Sequence, residues 1–218
     1  MIPLRDTIRS RTFPIVTVSL IIINIIIFFY EASLPQAELA ELAGGLGVIP
    51  ARDLTALLHN PLNLTAYIPF FTAMFLHGGW FHVLGNMLYL WVFGDNIEDS
   101  MGRGRFIIYY LLTGVIGSVA HIFANPGSAV PTIGASGAIA GVLGGYLVSF
   151  PRSRVLTLVP FFFVFLVEIP ATFFIVLWFG MQLLNGVASI AIPGETVAWW
   201  AHIGGFVSGA ILIRFFLR

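Results

Sequence analysis

Apolar residues run along this chain in blocks and do not alternate with polar ones. Largely apolar stretches cover residues 13–30, 106–124 and 197–217. Each is close to the ~20 residues that a helix needs to cross a roughly 30 Å hydrocarbon layer. Two shorter blocks, 80–94 and 136–150, contain glycines and are bounded by turn signals. A longer run from 155 to 184 is interrupted by Pro160, Glu168 and Pro170. It is expected to hold one span at about 170–185, preceded by an interfacial or partly buried connector. A β-barrel is excluded, because barrel strands alternate and these blocks do not. The pattern therefore predicts an all-α polytopic membrane protein of six spanning helices, a single domain over residues 1–218.

Composition agrees with that pattern. Charged residues are 9% of the 218, against about 25% in an ordinary soluble domain. The apolar set reaches 58% and mean hydropathy is +0.96, more than so few charges can cover in water. Ten arginines balance ten carboxylates, which removes the basic nucleic-acid binder and the disordered chain as classes. There is no cysteine, hence no disulfide, thiolate metal site or cysteine nucleophile. The apolar block after Arg5, Arg9 and Arg11 is too long for a signal-peptide core and has no small-residue cleavage site behind it, so it is read as a retained span.

Arginine placement sets the expected orientation. With six spans, Arg5, Arg9, Arg11, Arg103, Arg105, Arg152, Arg154, Arg214 and Arg218 share one side, and Arg52 stands alone on the other. The positive-inside rule then puts both termini in the cytoplasm, with a prokaryotic cell (inner) membrane as the expected location. Residues 31–79 become a long outer segment and 95–105 a charged inner loop. Residues 125–134, uncharged and carrying Pro126, Gly127 and Pro131, are expected to dip into the membrane, where irregular backbone survives only against protein or a wet cavity.

Polar groups at membrane depth need a reason. His82 and Asn86 lie in the second span, Ser136 opens the fourth and His202 lies in the sixth. At 1.5 Å per residue from the nearest cytoplasmic charge, Ser136 stands about 24 Å, His82 about 20 Å and His202 about 18 Å above the inner boundary. Three residues on three spans thus reach one level, about 6–12 Å below the outer surface. Asn24, His121, Glu168, Gln182 and Asn185 are singletons or lie near span ends, and are read as interfacial groups or interhelical hydrogen bonds.

Small residues suggest which spans touch. Gly137, Gly141 and Gly145 repeat every four residues in the fourth span, as do Ala201, Gly205 and Gly209 in the sixth. Such columns let membrane helices approach closely, so Ser136 and His202, each one position from a column, can meet. A histidine can take the serine proton, and the free N–H groups at a helix start can hold an oxyanion. His82 and Asn86, at i and i+4, offer further donors. Read from the residues alone, this layer fits a Ser–His dyad, a polar packing cluster or an ion path.

The segments His77-Gly-Gly-Trp-Phe-His82-Val-Leu-Gly-Asn86, Gly134-Ala-Ser136-Gly137 and Ala201-His202-Ile-Gly-Gly205 with Gly209 resemble the signature of the rhomboid intramembrane serine proteases. The resemblance covers essentially the whole chain, with each motif on the expected helix. It implies a six-helix bundle, Ser136 as nucleophile, His202 as general base and acid, and His82, Asn86 and the Ser136 N–H as the oxyanion pocket. It also implies transmembrane protein substrates that unwind near the cut, with no metal or cofactor, and a structural role for His77. Some bacterial members carry a tyrosine one turn after the serine, beneath the histidine; here that position is Ala140, so the imidazole must be held otherwise. The Trp-Arg pair of many members' first outer loop is absent from 31–79. The rival classes are a non-proteolytic membrane chaperone or adaptor of the same fold and a small transporter. A transporter would more naturally show intramembrane carboxylates or a paired repeat.

Overall fold

The computed structural model describes residues 1–160, 164–191 and 197–218. Among them are nine α-helices: α1 (Ile15–Ser33), α2 (Gln36–Leu46), α3 (Pro50–His59), α4 (Ile68–Thr72), α5 (Trp80–Met101), α6 (Arg103–Ala124), α7 (Ser136–Ser149), α8 (Ala171–Ser189) and α9 (Trp199–Phe216). By length and composition α1, α6, α8 and α9 are apolar and long enough to cross a membrane. The protein is an integral membrane protein built mainly of helices.

α7 is the hub. Its residues from Gly137 to Tyr146 are all buried, as expected of a helix that is apolar on every side and surrounded by others. At 14 residues it is about 21 Å long, shorter than a hydrocarbon layer of roughly 30 Å. Glycine sets its distance to α9. A β-carbon on Gly205 would strike the carbonyl of Gly137, and one on Gly209 the carbonyl of Gly141. Gly137 itself faces Ala201. The column on α7 also faces α6, because a β-carbon on Gly141 would meet Thr113 and one on Gly145 would meet Tyr109. The α7 residue whose missing side chain admits α9 is Gly144, opposite Phe206 and Ala210. A column on a central helix serves two neighbours at once.

Two expected connections are corrected. The charged segment 95–105 is not a loop: α5 continues through it to Met101, and the chain turns at Gly102 with φ +84°. The helix persists because its acidic residues are partnered. Glu98 accepts from the amides of Val16 (3.0 Å) and Thr17 (2.8 Å) and from the Thr17 hydroxyl (2.8 Å). These are free first-turn donors of α1, whose own cap residue is Pro14. Asp99 likewise accepts from the amides of Arg11 and Thr12.

The connector after α7 is a β-hairpin, which departs from the all-helical expectation. Strands β1 (Ile2–Asp6), β2 (Arg154–Pro160) and β3 (Val164–Pro170) form an antiparallel sheet in the order β1-β2-β3, with Leu158 opposite Leu166. Val155 and Thr157 are buried while Arg154 faces out, a period of two inside what reads as a plain apolar run. Segment 31–79, expected on the outer side, is ordered as α2, α3 and α4 with two short 3₁₀ turns. Residues 125–134 pack against it, with a β-bridge between Val48 and Thr132.

Candidate active site

The chain reaches α7 through Gly134, whose φ of +127° is open to glycine and strained for other residues. Its N–H donates to the Ala73 carbonyl at 2.8 Å. Two residues later Ser136 begins the helix, and no side chain caps that end. The first-turn amides therefore have no acceptor within the helix and point into the space above it.

α9 brings His202 to this point. Its Nε2 lies 2.7 Å from Ser136 Oγ, and its Nδ1 lies 2.8 Å from Gln182 Oε1 on α8. Where a tyrosine was noted as absent, Ala140 is fully buried and two tryptophans flank the imidazole. Trp178 is tilted 34° to it at 6.2 Å, and Trp199 meets it edge-on at 6.0 Å.

α5 supplies the opposite wall. His82 Nδ1 accepts from the Gly78 amide at 3.3 Å, which leaves Nε2 as the ring donor. That nitrogen faces Gly134. One turn on, Asn86 is 9% exposed, and its Nδ2 has no hydrogen-bond partner among the described residues. A buried amide donor left unpaired is costly unless something binds it. His77 stands outside this wall, with its ring edge-on to His82 at 5.1 Å and its backbone amide on the Glu31 carboxylate.

These groups line one cavity of about 640 Å³, which Ser136, His202, His82, Asn86, Trp178 and Gln182 share with Val130, Pro131 and Ile133. Residues 125–134, expected to dip into the membrane, line it through Val130, Pro131 and Ile133; residues 192–196 lie outside the described residues. All four polar residues singled out by depth thus meet in one place. Gln182, read as an interfacial group or an interhelical hydrogen bond, makes the latter, and its partner is the His202 imidazole. No periodicity links residues 182 and 202, so only the closeness of α8 to α9 reveals the pair.

A nucleophile, a base within hydrogen-bond reach and unpaired donors around one cavity form the constellation of acyl transfer. A family model described as Rhomboid domain matches residues 65–218. The chain belongs to the rhomboid family. It is 33% identical over 138 residues to "Rhomboid protease GluP" of Bacillus subtilis, covering 63% of this chain and 24% of that protein. It is 34% identical over 147 residues to "RHOMBOID-like protein 1" of Arabidopsis thaliana, covering 67% and 34%. To "Presenilin-associated rhomboid-like protein A, mitochondrial" of Danio rerio it is 27% identical over 164 residues, covering 72% and 39%. The chain therefore spans well under half the length of these relatives. Because organellar relatives stand beside a bacterial one, the expected prokaryotic inner membrane gains no support from them.

Proposed function

We propose that this rhomboid-family chain is an intramembrane serine endopeptidase that cuts peptide bonds in or next to transmembrane segments of other membrane proteins. The observation that carries the reading is the 2.7 Å contact between Ser136 Oγ and His202 Nε2 at an uncapped helix start. His202 Nε2 takes the Ser136 proton as Oγ attacks the scissile carbonyl carbon, and the carbonyl π pair moves onto oxygen. The oxyanion sits among the Ser136 N–H, His82 Nε2–H and the unpaired Asn86 Nδ2. His202 then passes its proton to the leaving amine as the C–N bond breaks. Water repeats the sequence on the acyl-enzyme, which frees Ser136 and the second product.

The chain acts as one domain of six spans: α1, α5, α6, α7, α8 and α9. Both termini are cytoplasmic, and the cavity opens toward the other side. Nine arginines against one support that orientation, and a reporter fused after Arg218 that reads as external would overturn it. Substrates that unwind easily are favoured, because a helix hides its peptide bonds in its own hydrogen bonds.

The test is labelling of purified protein by a fluorophosphonate together with cleavage of a transmembrane reporter. Wild type is expected to do both, while Ser136→Ala and His202→Ala each do neither, and the double variant is no worse than either single. Residual cleavage by Ser136→Ala at more than a trace removes the serine-protease reading. Labelling absent from wild type would favour the non-proteolytic adaptor.

A further inference from the structure

Gln182 projects from the inner stripe of α8, four residues after Trp178, and is 6% exposed. Its Nε2 donates to the Trp178 carbonyl at 3.1 Å. A backbone carbonyl can only accept, so this bond fixes which way the amide points. The oxygen must face His202 Nδ1, 2.8 Å away. An amide oxygen also can only accept, so Nδ1 carries the imidazole proton. The lone pair is then on Nε2, directed at Ser136 Oγ across 2.7 Å. One hydrogen bond to the main chain of α8 thus propagates through two side chains to the serine on α7.

We propose that Gln182 is the positioning residue of this site: its amide oxygen holds the Nδ1–H of His202 and so presents the basic nitrogen to Ser136. The role deepens the proposed dyad and rests on that reading. Trp178 and Trp199 restrain the plane of the ring, but ring stacking does not distinguish one tautomer from the other. Among the described residues the titratable groups facing His202 are His82 from α5 and His121 from α6; neither is a carboxylate.

An amide suits the depth of the site. A carboxylate in the same place would stabilise the imidazolium more strongly. It would also be a charge buried among apolar helices whenever the imidazole is neutral, which is costly. Gln182 orients the ring without bringing a charge of its own.

The experiment compares purified wild type, Gln182→Met (similar length, no comparable acceptor) and Gln182→Glu (an acceptor oxygen at similar reach) in lipid vesicles. Fluorophosphonate labelling rates are measured beside kcat and KM for a transmembrane reporter. Gln182→Met is expected to label about 10–10²-fold more slowly, in line with the cost of a misplaced catalytic group. Its kcat should fall in step and its KM stay unchanged. Gln182→Glu should recover most of the rate, which loss of packing alone would not produce. Should Gln182→Met fail to fold, the ring-nitrogen NMR shifts of His202 in wild type read the tautomer directly. A proton on Nδ1 supports the assignment and a proton on Nε2 overturns it. If wild type labels and Gln182→Met keeps its full rate, the role of Gln182 fails alone. A wild type that takes no label overturns the protease reading itself.

Discussion

His82 and Gly134 stand so close that the glycine has no room for a side chain: a β-carbon there would lie 2.6 Å from the imidazole Nε2. The same atom would lie 3.7 Å from Ser136 Oγ, in the space where an oxyanion would form. Gly134→Ala is therefore expected to displace the His82 donor and to strain a backbone held at φ +127°. Cleavage of the reporter should fall by at least ~10²-fold, the usual scale for losing one such donor, while the protein still purifies as a folded bundle. Full activity in Gly134→Ala would mean that His82 does not serve the oxyanion.

His82→Ala and Asn86→Ala each remove a donor to charge that exists only in the transition state. They should lower kcat with little change in KM, by up to about 10²–10³-fold and less where the remaining donors compensate. Steady-state kinetics in vesicles separates the two constants. A change confined to KM would place these residues in substrate binding.

Two glycines of similar sequence setting should behave oppositely. Gly209→Ala drives a methyl group into the Gly141 carbonyl, a backbone atom that no rotamer change can move. α9 is expected to shift off α7, breaking the contact of Ser136 with His202 and costing tenfold or more in activity, since about 1 Å of misplacement can cost 10². Gly180→Ala on α8 meets open space. It should leave activity intact and stabilise its helix by roughly 0.5–1 kcal/mol. Thermal melts and reporter cleavage on the pair check both halves.

Asp6 lies at the end of β1, outside the spans, where burial pushes its carboxyl up to about 6. A hydrogen bond from the Tyr146 hydroxyl opposes the rise and nearby Asp95 adds to it. The folded protein therefore holds this proton more tightly than the unfolded chain, whose carboxyl titrates near 3.8. The contribution to stability is fully present below about 4 and is lost as pH rises through about 6. Thermal stability of wild type should fall across that window relative to Asp6→Asn, which has no proton to lose at this position. Parallel melting curves for the two proteins would argue against a buried, protonated Asp6.

The sequence is most legible where chemistry and local motif coincide. Ser136, His202, His82 and Asn86 stand out because a polar group in a long apolar block has few reasons to be there, and they share one cavity. The span at 106–124 is close to α6 (Arg103–Ala124) for a similar reason. Partnership is harder to see. Residues 95–105 read as a charged inner loop, yet α5 runs on to Met101, where Glu98 and Asp99 accept from main-chain donors more than 80 residues away and Asn96 donates to Asp6. The hairpin of β2 and β3 was hidden because short apolar runs carry no decisive period. Gly141 meets α9 through its backbone, as its spacing suggests, but its missing side chain faces Thr113 on α6, because spacing identifies a face of a helix and not everything that lies opposite.

The clasp of Glu98 on the start of α1 also has a bearing on synthesis. The amides of Val16 and Thr17 find their acceptor only in a residue made 81 positions after Thr17. At about 5–20 residues per second that interval is roughly 4–16 s. During it the first helix stands in the bilayer with its leading turn unsecured, and the second large helix must arrive before that turn can settle. The start of α1 is therefore secured only once α5 has been made, through a carboxylate that ties the two helices together.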